Sequence, residues 1–100
     1  MVKVGIVGIS GYSGFTALTI LLKHPKAQVT YVSANNTQGK VSDIWPALKN
    51  QTGLICDKFD IKKASQLCDV VILAVPHTIA MTIAPALIKA NLKVIDLSGD

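Results

Sequence analysis

The sequence predicts an α/β fold: a doubly wound, mostly parallel sheet with helices on both faces. Three observations predict it. Short, nearly continuous apolar runs alternate with stretches of helical period, and a glycine-rich turn joins the first run to the first helical stretch. The strongest run, residues 69–75 (DVVILAV), is apolar throughout after its Asp, as a strand covered on both faces must be. Such alternation implies βαβ crossovers, whose near-universal right hand places helices on either side of the sheet.

The elements follow in order. Residues 2–7 form an apolar run closed by Gly8, the first strand. From Gly14 the period turns helical, with Phe15, Leu18 and Leu22 at i, i+3 and i+7 beside Ala17 and Leu21. Lys23-His24-Pro25 ends that helix: bases suit its last turn, His24 among them, and the proline cannot continue it. Residues 28–34 (QVTYVSA) are β-branched and aromatic, a second strand. Residues 35–53 are polar and turn-rich, a loop with a short helical piece over 41–48 in which Trp45-Pro46 supplies packing. Residues 54–59 read as a short, weak strand and 61–67 as a short helix. After the strand at 69–75, residues 78–90 are helical, with Ile79, Ile83 and Leu87 at i, i+4 and i+8. Pro85 is expected to kink or split that helix, because it removes one bond and clashes with the preceding turn. Asn91 suits a left-handed cap, and residues 92–97 form a further strand. The sequence stops at Asp100, just past that strand, where a missing crossover would leave an apolar edge open. The expectation is therefore one incomplete domain, residues 1–100, of a longer protein.

Composition narrows the function. Half the residues are hydrophobic, too many for a disordered segment, while 7 Gly, 2 Cys and no sustained heptad exclude collagen-like, disulfide-framework and coiled-coil classes. Lysine interrupts every apolar stretch short of the ~18 residues a membrane span needs. All ten bases are Lys and all six acids Asp, for a net charge of +4. The lysines are scattered and aromatics make up only 5% of the chain, which argues against nucleic acid and leaves a field that attracts small anions. Without Arg, any planar fork for a carboxylate or phosphate must come from elsewhere. No export signal is present, so a cytoplasmic location with reduced thiols is expected. Cys56 and Cys68, with eleven residues between them, fit no metal or redox spacing and read as structural thiols.

Gly8-Ile9-Ser10-Gly11-Tyr12-Ser13-Gly14 joins the first strand to the first helix. Unpaired amides at a helix start, and the positive end of its dipole, favour an anion there. Glycines let a pyrophosphate approach the backbone, and Ser10 and Ser13 add hydroxyl donors. The spacing is G-x-x-G-x-x-G, and its place between strand and helix makes Gly8, Ser10, Gly11, Tyr12, Ser13 and Gly14 candidate cofactor contacts. In this Rossmann-like setting an acid at the end of the second strand would hold the ribose diol of NAD. No Asp or Glu occurs between Gly14 and Asp43. Ser33, Asn35 and Lys40 supply a hydroxyl, an amide and an ammonium instead, a set that accepts a 2′-phosphate and favours NADP. Pro76 and His77 follow the strongest strand at the edge where ligands bind in open sheets, and read as cofactor-adjacent or structural.

Taken together, Gly8-x-x-Gly11-Tyr12-Ser13-Gly14, Lys23-His24-Pro25, Gly39-Lys40, Val75-Pro76-His77 and Val94-Ile95-Asp96-Leu97-Ser98-Gly99-Asp100 resemble the N-acetyl-γ-glutamyl-phosphate reductase family. The resemblance runs the length of the chain and adds Ser98 to the candidate cofactor set. It implies an NADP-dependent step of arginine biosynthesis, in which a small-molecule acyl phosphate is reduced to a semialdehyde with release of phosphate. It also implies a Cys nucleophile in a Pro-Gly-Cys setting and an acid–base His, both beyond the region matched here. Neither Cys56 nor Cys68 has that setting, so no catalytic residue is assigned within this segment. Phe15-Thr16-Ala17 stands where family members often carry a small residue and Glu. A homo-oligomer built through regions past residue 100 is expected on the same ground. Aspartate-semialdehyde dehydrogenase shares the fold and a related glycine loop, and a stand-alone nucleotide-binding module is the alternative from another class.

Overall fold

The computed structural model describes residues 1–34 and 37–98, and among these residues are six strands and four α-helices. They are β1 (Val2–Val7), α1 (Tyr12–Leu22), β2 (Ala27–Ser33), β3 (Gly39–Lys40), α2 (Val41–Ile44), a 3-10 turn (Pro46–Leu48), β4 (Ile55–Cys56), α3 (Ile61–Leu67), β5 (Val70–Leu73), α4 (His77–Lys89) and β6 (Lys93–Asp96). Four of the strands form a wholly parallel sheet in the order β2-β1-β5-β6. The chain winds outward from β1 in one direction to β2 and in the other to β5 and β6. The point between β1 and β5, where the order reverses, is where a crevice opens in such sheets.

The side-chain period of two, broken in β2 by a register shift where Val4 pairs Val29 and Gly5 pairs Tyr31, sorts the core onto the two faces of the sheet. Val4 and Ile6 of β1 join Leu18 of α1, Val29, Val32, Val41 and Leu48 in one buried cluster. Val7 joins Tyr31, Ala64 of α3, Val71, Leu73, and Ala80 and Leu87 of α4 in the other. Helices therefore cover both faces, α1 on one and α3 with α4 on the other. β3 and β4 pair antiparallel as a separate ribbon, Gly39 opposite Cys56, tied to the main sheet through Ser33 and Asp57. The Ala34 amide donates to the Asp57 carbonyl at 3.1 Å, which closes that junction.

Several boundaries differ from the sequence expectation for physical reasons. α1 begins at Tyr12 rather than Gly14, because the Phe15 amide bonds the Gly11 carbonyl at 2.9 Å and closes a turn earlier. The strand expected over 54–59 shrinks to Ile55–Cys56, and its partner β3 lies inside the segment read as loop. Pro85 does not split α4, which runs unbroken from His77 to Lys89. The carbonyl its ring leaves without an amide is that of Met81, and both residues are exposed, so water can take the missing bond's place. Asn91 does adopt the left-handed cap, with φ of 66°. Its amide bonds Ile88 O at 2.9 Å and the Leu92 amide bonds Leu87 O at 3.1 Å, a Schellman ending that feeds β6. Among the described residues no helix is long and apolar enough to cross a membrane.

Candidate functional site

The turn after β1 needs glycine at two places and merely has it at a third. Gly8 sits at φ +100°, and a Cβ there would lie 2.3 Å from the Ala74 carbonyl oxygen. Gly14 lets α1 pack onto the turn, since a Cβ would stand 2.1 Å from Gly8 O. Gly11 is different. Its φ of -92° and ψ of 169° suit any residue, and an added Cβ would meet nothing closer than Gly8 O at 3.9 Å. The fold leaves open the space in front of Gly11, which is what a ligand approaching the backbone requires.

The amides of the turn divide into spent and unspent. Gly8 and Ile9 both donate to Ser33 O, at 2.8 and 3.2 Å, which pins the turn to the end of β2. Gly11 donates to Gly8 O at 3.3 Å. Tyr12, Ser13 and Gly14 open α1, where amides have no intrahelical acceptor, and no side chain caps them. The Ser10 amide likewise has no acceptor among the described residues. These donors lie at the positive end of an 11-residue helix, whose partial charge favours an anion.

Beside the turn, at the switch point, is a cleft of about 290 Å³. Ser10, Gly11 and Ser33 supply its polar side, and Phe59, Val75, Pro76, Ile79 and Ile83 an apolar wall. Ser33 is fully buried, yet its hydroxyl has no hydrogen-bond partner among the described residues. Tyr31 Oη, on the same strand, is engaged elsewhere, accepting the Asp60 amide at 2.8 Å. Leaving such a group as the Ser33 hydroxyl unpaired costs about 1–3 kcal/mol, and the hydroxyl lies behind the cleft surface rather than on it.

Of the residues expected at the site, Gly8, Ser10, Gly11, Ser33 and Pro76 line this one cleft. Gly14 is buried beneath the turn, and Tyr12 and Ser13 are exposed at the start of α1 beside Leu97. Lys40 lines a separate surface pocket with Ser42 and Lys49. Asn35 lies outside the described residues. His77 opens α4 with Nδ1 3.5 Å from Ser98 Oγ, so those two come together at the carboxyl edge of the sheet. The Ser98 amide donates to Asp96 Oδ1 at 2.7 Å. The Ser98 hydroxyl and amide, with His77 nearby, hold the Asp96 carboxyl below the usual carboxylate range. His24 accepts the Lys26 amide at Nδ1, 3.0 Å, and serves the turn after α1.

The thiols are unsuited to nucleophilic work. Burial, assisted by the Asp57 charge, pushes the Cys56 thiol up to about 11, and burial also raises Cys68. The sequence does not reveal the apolar wall: the spacing of Ile79 and Ile83 marks only a helix, and Phe59 ends the run expected as a strand. Nor does it reveal the second duty of Trp45, whose Nε1 donates to the Ile9 carbonyl of the turn.

Comparisons with known proteins agree with this geometry. Residues 3–100 match the family described as semialdehyde dehydrogenase, NAD binding domain. The N-acetyl-gamma-glutamyl-phosphate reductase of Methanocella arvoryzae is 46% identical across the whole chain, and that of Synechocystis sp. is 38% identical across 98% of it. The chain spans only 30% and 28% of those two proteins. Among solved structures, aspartate semialdehyde dehydrogenase with NADP from Candida albicans superposes with a TM-score of 0.83 at 21% identity, over 96% of this chain and 29% of its own, a likeness of fold. A semialdehyde dehydrogenase NAD-binding protein from Cupriavidus necator, solved with calcium and NAD, gives a TM-score of 0.64 at 30% identity, over 97% of this chain and 33% of its own. With the glycine turn, the switch-point cleft and these relatives in agreement, the chain belongs to the semialdehyde dehydrogenase NAD-binding domain family.

Proposed function

We propose that this chain is the NADP-holding part of a reductase that converts N-acetyl-γ-glutamyl phosphate to its semialdehyde with release of phosphate, a step of arginine biosynthesis. The observation that carries the reading is the open space at Gly11 above unspent amides of the turn and of α1. The residues present fit a dinucleotide. Ser10 offers an unspent amide to a pyrophosphate in the cleft, the Tyr12 and Ser13 amides open the adjoining end of α1, and the wall of Val75, Pro76, Ile79 and Ile83 suits a flat apolar ring. The lack of any acid between Gly14 and Asp43 supports NADP over NAD, because no carboxylate repels a 2′-phosphate there.

Bound in this cleft, the reduced cofactor supplies a hydride. The tasks of this chain are to hold that cofactor, orient it along the carboxyl edge of the sheet and keep its apolar side out of water. The relatives' names support the substrate assignment. The nucleophile and the acid–base group belong, in this reading, to protein beyond residue 100, through which the subunits also associate. The test uses full-length protein and the reverse reaction. Reduction of NADP in the presence of the semialdehyde is followed by nicotinamide absorbance, with and without inorganic phosphate. The reading expects reduction that requires phosphate and runs faster with NADP than with NAD. Reduction indifferent to phosphate, or a preference for NAD, would contradict it.

A further inference from the structure

The segment between β3 and β4 reaches back to the glycine turn through one side chain. Trp45 joins α2 to the 3-10 turn: its amide bonds Val41 O at 2.8 Å and its carbonyl accepts the Leu48 amide at 2.9 Å. Val41 and Leu48 are buried in the same cluster as Ile9, so the platform that carries Trp45 is fixed in the core. From there the indole touches the turn twice. Its Nε1–H donates to Ile9 O, and its ring packs on Phe15 in the first turn of α1, centroids 4.3 Å apart. No backbone amide among the described residues donates to Ile9 O.

The Ile9 carbonyl and the Ser10 amide belong to one planar trans peptide, in which C=O and N–H point in opposite directions. A donor that holds the carbonyl on the Trp45 side therefore turns the Ser10 N–H to the other side. Ser10 lines the cleft, and its amide is one of the unspent donors. Resting on the dinucleotide reading above, we infer that Trp45 is a positioning residue: its indole N–H fixes the Ile9–Ser10 peptide so that the Ser10 amide is pre-aimed at the bound diphosphate. The gain is preorganisation, because a donor already aimed pays no ordering cost when the anion arrives.

The test compares two ligands in full-length protein. NADPH carries the diphosphate and adenosine does not; calorimetry follows the first and chemical-shift titration the second. Trp45→Phe keeps an aromatic ring against Phe15 and deletes the donor. It should weaken NADPH by roughly fivefold to twentyfold, the scale of one hydrogen bond to a charged group partly lost. Adenosine affinity should stay within about twofold. Replacing Trp45 by the benzothiophene analogue, with sulfur in place of N–H and the ring volume kept, should reproduce the loss should Trp45→Phe disturb folding. Equal weakening of both ligands by the analogue, or unchanged NADPH affinity, would overturn the inference alone. Failure of the wild-type protein to bind NADPH would overturn it together with the proposed function.

Discussion

Gly8 and Gly11 stand three residues apart in one turn and answer to different demands. The first is required by the backbone, the second by what comes to the backbone. Gly8→Ala places a methyl against the Ala74 carbonyl at a left-handed φ, and should cost about 2–4 kcal/mol in denaturant titrations. Gly11→Ala should change stability by less than about 1 kcal/mol, with any gain coming from a less flexible unfolded chain. A second residue-scale expectation concerns Cys56. Its folded-state thiol titrates at about 11, above the ~8.5 of an exposed thiol, so the folded state binds more protons between those values. Stability should thus be complete below about pH 8.5 and fall as pH rises towards 11, and Cys56→Ala should flatten that limb in stability measured against pH. The turn itself was legible from residues 8–14, because glycine and helix starts are local facts. The unpartnered Ser33 hydroxyl and the reach of Trp45 were not, since each depends on which distant side chains packing brings alongside.

At the scale of elements, β1 and α3 have the bounds their periodicity predicts, each being a single uninterrupted pattern. α3 adds a side-chain cap, Asp60 accepting the Lys62 and Lys63 amides. β3 escaped notice because two residues, Gly39 and Lys40, carry no period at all. Pro85 does not split α4, because a proline's effect depends on whether the freed carbonyl faces water or core, which composition does not say. The exposed Pro85 of α4 makes a sharp prediction: Pro85→Ala should restore a bond to Met81 O and stabilise the protein by about 1–3 kcal/mol in denaturant titrations. An unchanged midpoint would mean that water and the constrained unfolded chain offset the lost bond entirely.

At the scale of the molecule, alternating strands and helices were enough to predict a parallel sheet with both faces covered, because crossover handedness leaves few alternatives. The position of the cleft follows from the observed strand order, which reverses between β1 and β5. What the alternation cannot supply is the neighbour of β6, an edge strand whose Ile95 is 48% exposed, with Leu97 just past its end at 46%. An apolar edge of this kind recruits other strands, so these 100 residues expressed alone should self-associate, with sedimentation that depends on concentration. A cooperatively melting monomer at high concentration would contradict this. The proposed function requires the amides around Gly11 to receive a diphosphate. The most direct measurement is a calorimetric titration of NADPH into full-length wild-type protein and its Gly11→Val variant. The first should bind saturably and the second at least about a hundredfold more weakly without loss of fold, because a branched side chain fills the open space. Equal affinity for both proteins would contradict that requirement.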